Sequence, residues 1–250
     1  NAIEVAGAVR TAREYGLDHH VVTVQRDDLG RLAQDFITSQ DQPTIDGFNT
    51  YLVSRAAVEQ GCVVALSGLG GDEVLGGYGY YTQSLSRFLI RGVPKTVMAG
   101  MAVALQSATG RSASRFVALA GARTPVERFV AAREIFTTCE AFEMTGVRLS
   151  RTIGLKSDRS QTDRCQFRSL DFGTYLRATL LRDSDVFSMR HGLEVRVPML
   201  DRGFVDSAQL VNKAQLAEET AGPYLIKLAG QRKQGFTLPW VDWLSELKRS

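Results

Sequence analysis

The stretch over residues 63–81, V-V-A-L-S-G-L-G-G-D-E-V-L-G-G-Y-G-Y-Y, constrains the fold more than any other part of the chain. Val63, Val64, Ala65 and Leu66 form a short unbroken apolar run, the pattern of a strand covered on both faces in a parallel sheet. The chain leaves that strand at Ser67, and Gly68, Gly70 and Gly71 let backbone N–H groups approach a ligand closely. Asp72 and Glu73 then place carboxylates at the carboxyl end of the strand, where open α/β sheets bind their ligands. A glycine-rich connection with solvated acids accounts for the same residues, because an isolated glycine motif is a weak signal. The rest of the chain decides between the two.

Upstream, Ile3, Val5, Ala6, Val9 and Ala12 give a helix its apolar side, and Gly16 stops it. Residues 20–24, H-V-V-T-V, predict a strand, and Asp27 or Asp28 caps a helix carrying Leu29, Leu32, Ala33, Phe36 and Ile37. The polar segment 38–46, with Pro43, breaks that helix. A further helix over residues 48–60 leads into the strand at 63–66, so two strands are joined by the helical crossover that makes parallel sheet. His19 and His20 point to opposite faces of a strand, which reads as structural rather than as a shared metal site.

From Leu85 onward the strand signals stop, and residues 88–105, 113–120, 126–142 and 170–189 read as helices. Thr124-Pro125-Val126-Glu127 is a helix start, with threonine at the cap, proline at the first position and glutamate at the third. The expected layout is an α/β part over 1–85 followed by a mainly helical part over 86–250, with the boundary between 81 and 91 and the two packed as one compact unit.

Composition excludes several function classes. A net charge of +3 over 250 residues, without a basic tract, argues against a nucleic-acid or membrane-surface partner. Cys62, Cys139 and Cys165 are odd in number and lack metal-ligand spacing, which predicts reduced thiols in a cytoplasmic protein. The longest apolar tract, residues 97–105, is too short to span a bilayer, so a soluble protein is expected.

The loop at 67–81 resembles the S-G-x-G-x-D-E-x-x-x-G-Y signature of the asparagine synthetase family, the ATP-dependent amide-forming enzymes that include β-lactam synthetases and lasso-peptide cyclases. Two later stretches agree in the same order, L-L-R-D-S-D-V-F-S-M-R-H-G-L-E-V-R-V-P-M-L-D at 180–201 and K-Q-G-F-T-L-P-W-V-D-W-L at 233–244. The resemblance implies an α/β fold whose parallel-sheet half is of the ATP-pyrophosphatase, adenine nucleotide α-hydrolase-like type, followed by a helical half. It implies that a carboxylate is adenylated by ATP with release of pyrophosphate and that ammonia or an amine then forms the amide. The implied cofactors are ATP and Mg2+; the implied partners are a small-molecule or peptide carboxylate and a glutaminase domain or ammonia as nitrogen source, with a homodimer among the allowed assemblies. A non-catalytic nucleotide-binding or assembly domain derived from the family is the alternative.

By the same resemblance, Leu66, Ser67, Gly68, Gly70 and Gly71 match nucleotide-contacting positions, Asp72 matches the magnesium-binding aspartate, and Lys233 stands where a basic side chain faces phosphates. Asp183 and Asp185 are open between two roles, a base toward the amine or a capping and pairing acid, while Glu194 and Arg196 read as an ion pair that fixes a loop. Three departures stand beside these matches. The family's S-G-G-x-D-S loop and glutaminase domain are absent from this chain, so a piece of a longer protein is expected. Gly222-Pro223 occupies the place of the catalytic lysine, leaving Lys227 about one helical turn along. Leu69 replaces the acid that asparagine synthetases carry in this loop, which points away from aspartate as the carboxylate.

Overall fold

The computed structural model describes residues 2–76, 96–97, 100, 118, 122, 124–134, 136–148, 163–208, 213–220, 224 and 226. The elements are α1 (Ala2–Glu14), α2 (Leu29–Ser39), α3 (Gly47–Glu59), β1 (Val64–Leu66), α4 (Gly71–Leu75), α5 (Pro125–Arg133), α6 (Thr138–Thr145), α7 (Asp163–Asp171), a π-helix (Phe172–Leu181), α8 (Arg182–Arg190), β2 (Glu194–Arg196), α9 (Arg202–Ser207) and α10 (Lys213–Thr220). It is a mainly helical chain with a small parallel sheet. Two compact units divide it: the described residues of Asn1–Leu69 and Ala178–Pro198, and those of Gly70–Arg177 and Met199–Gly230. The boundary expected between 81 and 91 lies outside the described residues. Among the described residues no helix is long and apolar enough to cross a membrane.

In the first unit, Leu29, Leu32 and Phe36 recur at helical spacing along α2 and form a buried cluster with Phe48 and Tyr51 of α3 and Phe187 of α8. The ring of Phe36 lies 4.9 Å from that of Phe48 and 4.8 Å from that of Phe187, so three helices share one aromatic centre. Burying each such ring stabilises the unit by about 1.5–3 kcal/mol. Helices α3 and α8 meet at Gly47, where an added Cβ would lie 2.1 Å from the Phe187 ring. Glycine is therefore required by the close approach of the two helices.

Strand β1 pairs with β2 in parallel, Val64 opposite Glu194 and Leu66 opposite Arg196. The ladder is extended at both ends, where Glu194 N–H donates to the Val63 carbonyl at 2.9 Å and Ser67 N–H donates to the Arg196 carbonyl at 2.8 Å. The apolar run of β1 predicts burial on both faces, yet Val63, Val64 and Leu66 are 71%, 49% and 78% exposed. Among the described residues one strand pairs with β1, and the buried side-chain clusters do not include it. The apolar run reports strand propensity, while burial needs covering layers. Residues 20–24 likewise run as irregular backbone rather than a strand. Val21 and Val22 are exposed, and Val24 packs against the aromatic cluster.

In the second unit, Val126 and Phe129 of α5 pack with Phe167 and Leu170 of α7, and Val74 and Leu75 of α4 pack with Ala208. The carboxylate of Asp171, fully buried, accepts from Arg133 Nη2 at 2.7 Å and Nε at 3.0 Å, and the guanidinium lies 4.0 Å over the Tyr175 ring. The predicted start at Thr124 is a full capping box with Glu127. The single helix expected over 126–142 is two, because Glu134 turns extended and Thr137 begins a second capping box with Glu140. The helix expected over 170–189 lies within one continuous winding from Asp163 to Arg190, π-helical at Phe172–Leu181.

Candidate functional site

The end of β1 is where the motif begins. Ser67 is held in the ladder by its N–H, and its hydroxyl accepts from Leu69 N–H at 3.3 Å, which bends the chain away from the sheet. Gly68, at the apex of that bend, is exposed, and open space lies where a Cβ would stand. Its N–H has no partner among the described residues. An unhindered amide at the carboxyl end of a parallel strand fits a phosphate or nucleotide oxygen. Leu66 is exposed beside it.

Gly70, Gly71 and Asp72 belong to the second unit. Gly70 has φ +87°, and its carbonyl accepts from Val74 N–H at 2.8 Å to start α4. Leu200 fills the space where a Cβ would lie, 2.2 Å away. Gly70 is therefore doubly required, by its left-handed backbone and by packing. Asp72 is partly exposed in the first turn of α4, whereas its neighbour Glu73 is buried. Among the described residues no group of three metal-ligating side chains occurs. One partly exposed carboxylate fits Mg2+ bound largely through substrate phosphates and water, the usual habit of this ion.

In the first unit, three residues link α8 to β2 and four link α3 to β1. Helices α3 and α8 pack on each other through Phe48, Tyr51 and Phe187, and the first turn of α8 carries two acids. Asp183 and Asp185 lie in that first turn of α8. Asp183 is 2% exposed; its Oδ2 accepts from the Thr44 hydroxyl and its Oδ1 from Arg182 Nη1 at 3.0 Å. Burial pushes its carboxyl up, the Thr44 and Arg182 bonds pull against that, and the Asp46 carboxylate adds to the rise. Asp185, on the other side of the helix, is exposed.

Arg182 also donates to Asp41 and to the Gln42 carbonyl. Segment 38–46, which reads in the sequence only as a helix break, is thus tied to α8. No local pattern announces a pair 139 residues apart; the one signal available was a threonine just ahead of a helix start. Glu194 and Arg196 form the expected ion pair at 2.9 Å, both exposed, and Asp201 caps α9 by accepting from Gly203 N–H and Phe204 N–H. Lys227 and Lys233 lie outside the described residues.

At the far end of α3 and α8 from Asp183, a cavity of about 320 Å³ is lined by Arg31, Asp35, Tyr51, Arg55, Val58, Glu59 and His191. Asp35 accepts from Arg190 and from the Tyr51 hydroxyl, and those bonds, the Arg190 bond foremost, hold its carboxyl below the usual range. Burial and the Asp35 bond push Tyr51 up to about 12. The cations around this cavity are paired with Asp28, Asp35 and Glu59, so it offers no free charge to a ligand.

The described residues thus form a mainly helical chain with a small parallel sheet, whose first strand ends in a glycine turn. The asparagine synthase profile matches residues 2–232, and the chain belongs to that family. It is 25% identical over 265 residues to asparagine synthetase [glutamine-hydrolyzing] 1 of Bacillus subtilis (strain 168), covering 96% of this chain and 41% of that protein. Putative glutamine-hydrolyzing asparagine synthetases of Mycobacterium bovis and Mycobacterium tuberculosis are likewise 25% identical, over 268 residues, with 96% of this chain and 40% of theirs covered. The chain spans about two fifths of the length of these curated relatives.

Proposed function

We propose that this chain is the synthetase part of an ATP-dependent amide-forming ligase with an ATP-pyrophosphatase-type α/β half. In the first half-reaction a substrate carboxylate oxygen attacks the α-phosphorus of ATP, forming an acyl-adenylate and releasing pyrophosphate. In the second, ammonia or an amine attacks the acyl carbon, the amide forms, AMP leaves and the amine's proton goes to a base. The observation that carries this reading is the open amide of Gly68 at the end of β1, within a motif shared with a family of ligases. Leu66, Ser67, Gly68, Gly70 and Gly71 are assigned to the nucleotide, with Lys227 and Lys233 toward its phosphates. Asp72 would hold Mg2+, which neutralises phosphate charge when bound. Of the two carboxylates on α8, the exposed Asp185 is assigned to the amine. Glutamine-derived ammonia, a homodimer and a cytoplasmic location complete the proposal.

Leu69 and Gly222-Pro223 favour the second reading, a nucleotide-binding domain without chemistry, because each stands where the resemblance calls for a reactive side chain. The two readings separate on Asp185→Asn in the full-length protein. General-base help is typically worth roughly a hundred- to ten-thousand-fold, so amide formation should fall by about that factor while adenylation persists. Tight ATP binding with no adenylation by the unmutated protein would select the second reading.

A further inference from the structure

We propose that Thr44 and Asp183 form a latch between the first turns of α3 and α8 that sets the aim of Asp185, making both positioning residues for the amine-accepting step. The inference rests on the ligase reading for its consequence in catalysis and on geometry alone for the latch itself. Asp183 cannot meet a substrate as it stands, since its side chain is buried and each carboxylate oxygen already accepts a bond, one from Thr44 and one from Arg182. The Thr44 hydroxyl gives its proton to Asp183 and accepts from Asp46 N–H at 3.4 Å and Gly47 N–H at 3.3 Å. It therefore caps α3, while the side chain of Asp46, in the cap position, makes no capping bond. One hydroxyl joins the start of α3 to the first turn of α8, and the positive end of α3 favours a negative charge on Asp183.

The latch has something to fix. Helix α8 begins without a capping side chain, directly from the π-helical Phe172–Leu181. A π winding bonds i to i+5 rather than i to i+4, so it does not hand α8 the rotation that a preceding α-helix would. The contact of Gly47 with Phe187 sets how closely α3 and α8 approach. Rotation of α8 about its own axis is set by Phe187 in the aromatic centre and, at its first turn, by Asp183 and Arg182. Asp185 follows two residues later, about 200° around the helix, which is why it faces solvent while Asp183 faces α3. With a carboxylate about 5–6 Å from the helix axis, a 20° turn of α8, taken as an order-of-magnitude case, moves it by about 2 Å. Misplacing a reacting group by about 1 Å can cost about a hundredfold in rate.

The test uses the full-length protein and four substitutions, with ATP–pyrophosphate exchange and amide formation measured separately. Thr44→Val keeps the shape and removes the hydroxyl, and Asp183→Ala removes the acceptor; each should lower the kcat of amide formation by about 10- to 100-fold and leave exchange within about threefold. Thr44→Ser should restore amide formation to within about threefold of the parent, since serine retains the hydroxyl; Asp183→Asn keeps one acceptor oxygen and turns an NH2 donor toward Thr44 or Arg182, so it should lose about as much as Thr44→Val. Amide formation at least about tenfold lower in Asp183→Asn than in Thr44→Val would make Asp183 a base and overturn the latch. Parental kcat in Thr44→Val would overturn it as well. Should the parent show no exchange with any carboxylate, the ligase reading fails and the latch is judged by hydrogen exchange. Amides at residues 46–49 should then lose about tenfold protection in Thr44→Val and none in Thr44→Ser, and equal protection in all variants contradicts the latch.

Discussion

Gly70 carries two constraints at once, a backbone at φ +87° and a neighbour, Leu200, in the space a Cβ would take. Gly70→Ala should therefore destabilise the protein by about 1–3 kcal/mol, the sum of left-handed strain and displacement of Leu200. Thermal or urea unfolding checks it, and an unchanged midpoint would show that the turn relaxes freely. Asp72 is a different case, because it is partly exposed in the first turn of a short helix. Asp72→Asn should cost less than about 1 kcal/mol in folding while weakening Mg2+-dependent ATP binding severalfold. Calorimetric titration with and without Mg2+ reads this directly, and equal affinities in both proteins would remove Asp72 from the metal. The backbone requirement at Gly70 was legible in the sequence, since a glycine in a tight polar loop signals a left-handed turn. Thr44 was not, because its importance lies in a partner on a distant helix.

At the scale of elements, the junction of α2, α3 and α8 makes a pH prediction. The His191 ring sits 4.6 Å from the Tyr51 ring, and its Nε2 is buried without a hydrogen-bond partner. The charged and titratable groups around it are Asp35 on α2, Tyr51, Arg55 and Glu59 on α3, and Arg190 on α8. Burial, opposed by Asp35, lowers its pKa below the ordinary 6.5. The unfolded chain thus binds this proton first as pH falls, so the stability His191 contributes is full above about 6.5 and is lost as pH drops below it. The slope is at most about 1.4 kcal/mol per pH unit. Denaturant titrations from pH 7.5 to 5 should show that slope in the parent and a flatter one in His191→Gln, and parallel lines would refute it. Element types were mostly visible beforehand: α3, the start of α5 and the stop at Gly16 follow from spacing and caps. The break between α5 and α6 was missed although Thr137 and Glu140 spell a capping box, because apolar spacing runs on through it. Burial of β1 was misjudged because a strand's own residues do not say what covers them.

At the scale of the whole molecule, membership of the asparagine synthase family rests on a match over residues 2–232, and within that range the sequence carried it in two ordered motifs, at 67–81 and 180–201. The division into two compact units, with residues 178–198 returning to the first, was not legible, since chain order does not state which segments fold back together. The curated relatives are about two and a half times as long as the region matched, so chemistry is best measured on the full-length protein. The central claim is that this chain activates a carboxylate with ATP. The most direct measurement is incorporation of labelled pyrophosphate into ATP by the full-length protein with Mg2+, across a panel of amino-acid, sugar-acid and peptide carboxylates and without any amine. The account predicts exchange that depends on one class of carboxylate, is weak with aspartate because Leu69 stands in the loop, and is lost in Gly68→Val, whose side chain blocks approach to the open amide. Stoichiometric ATP binding with no exchange for any carboxylate, or exchange undiminished in Gly68→Val, would contradict it.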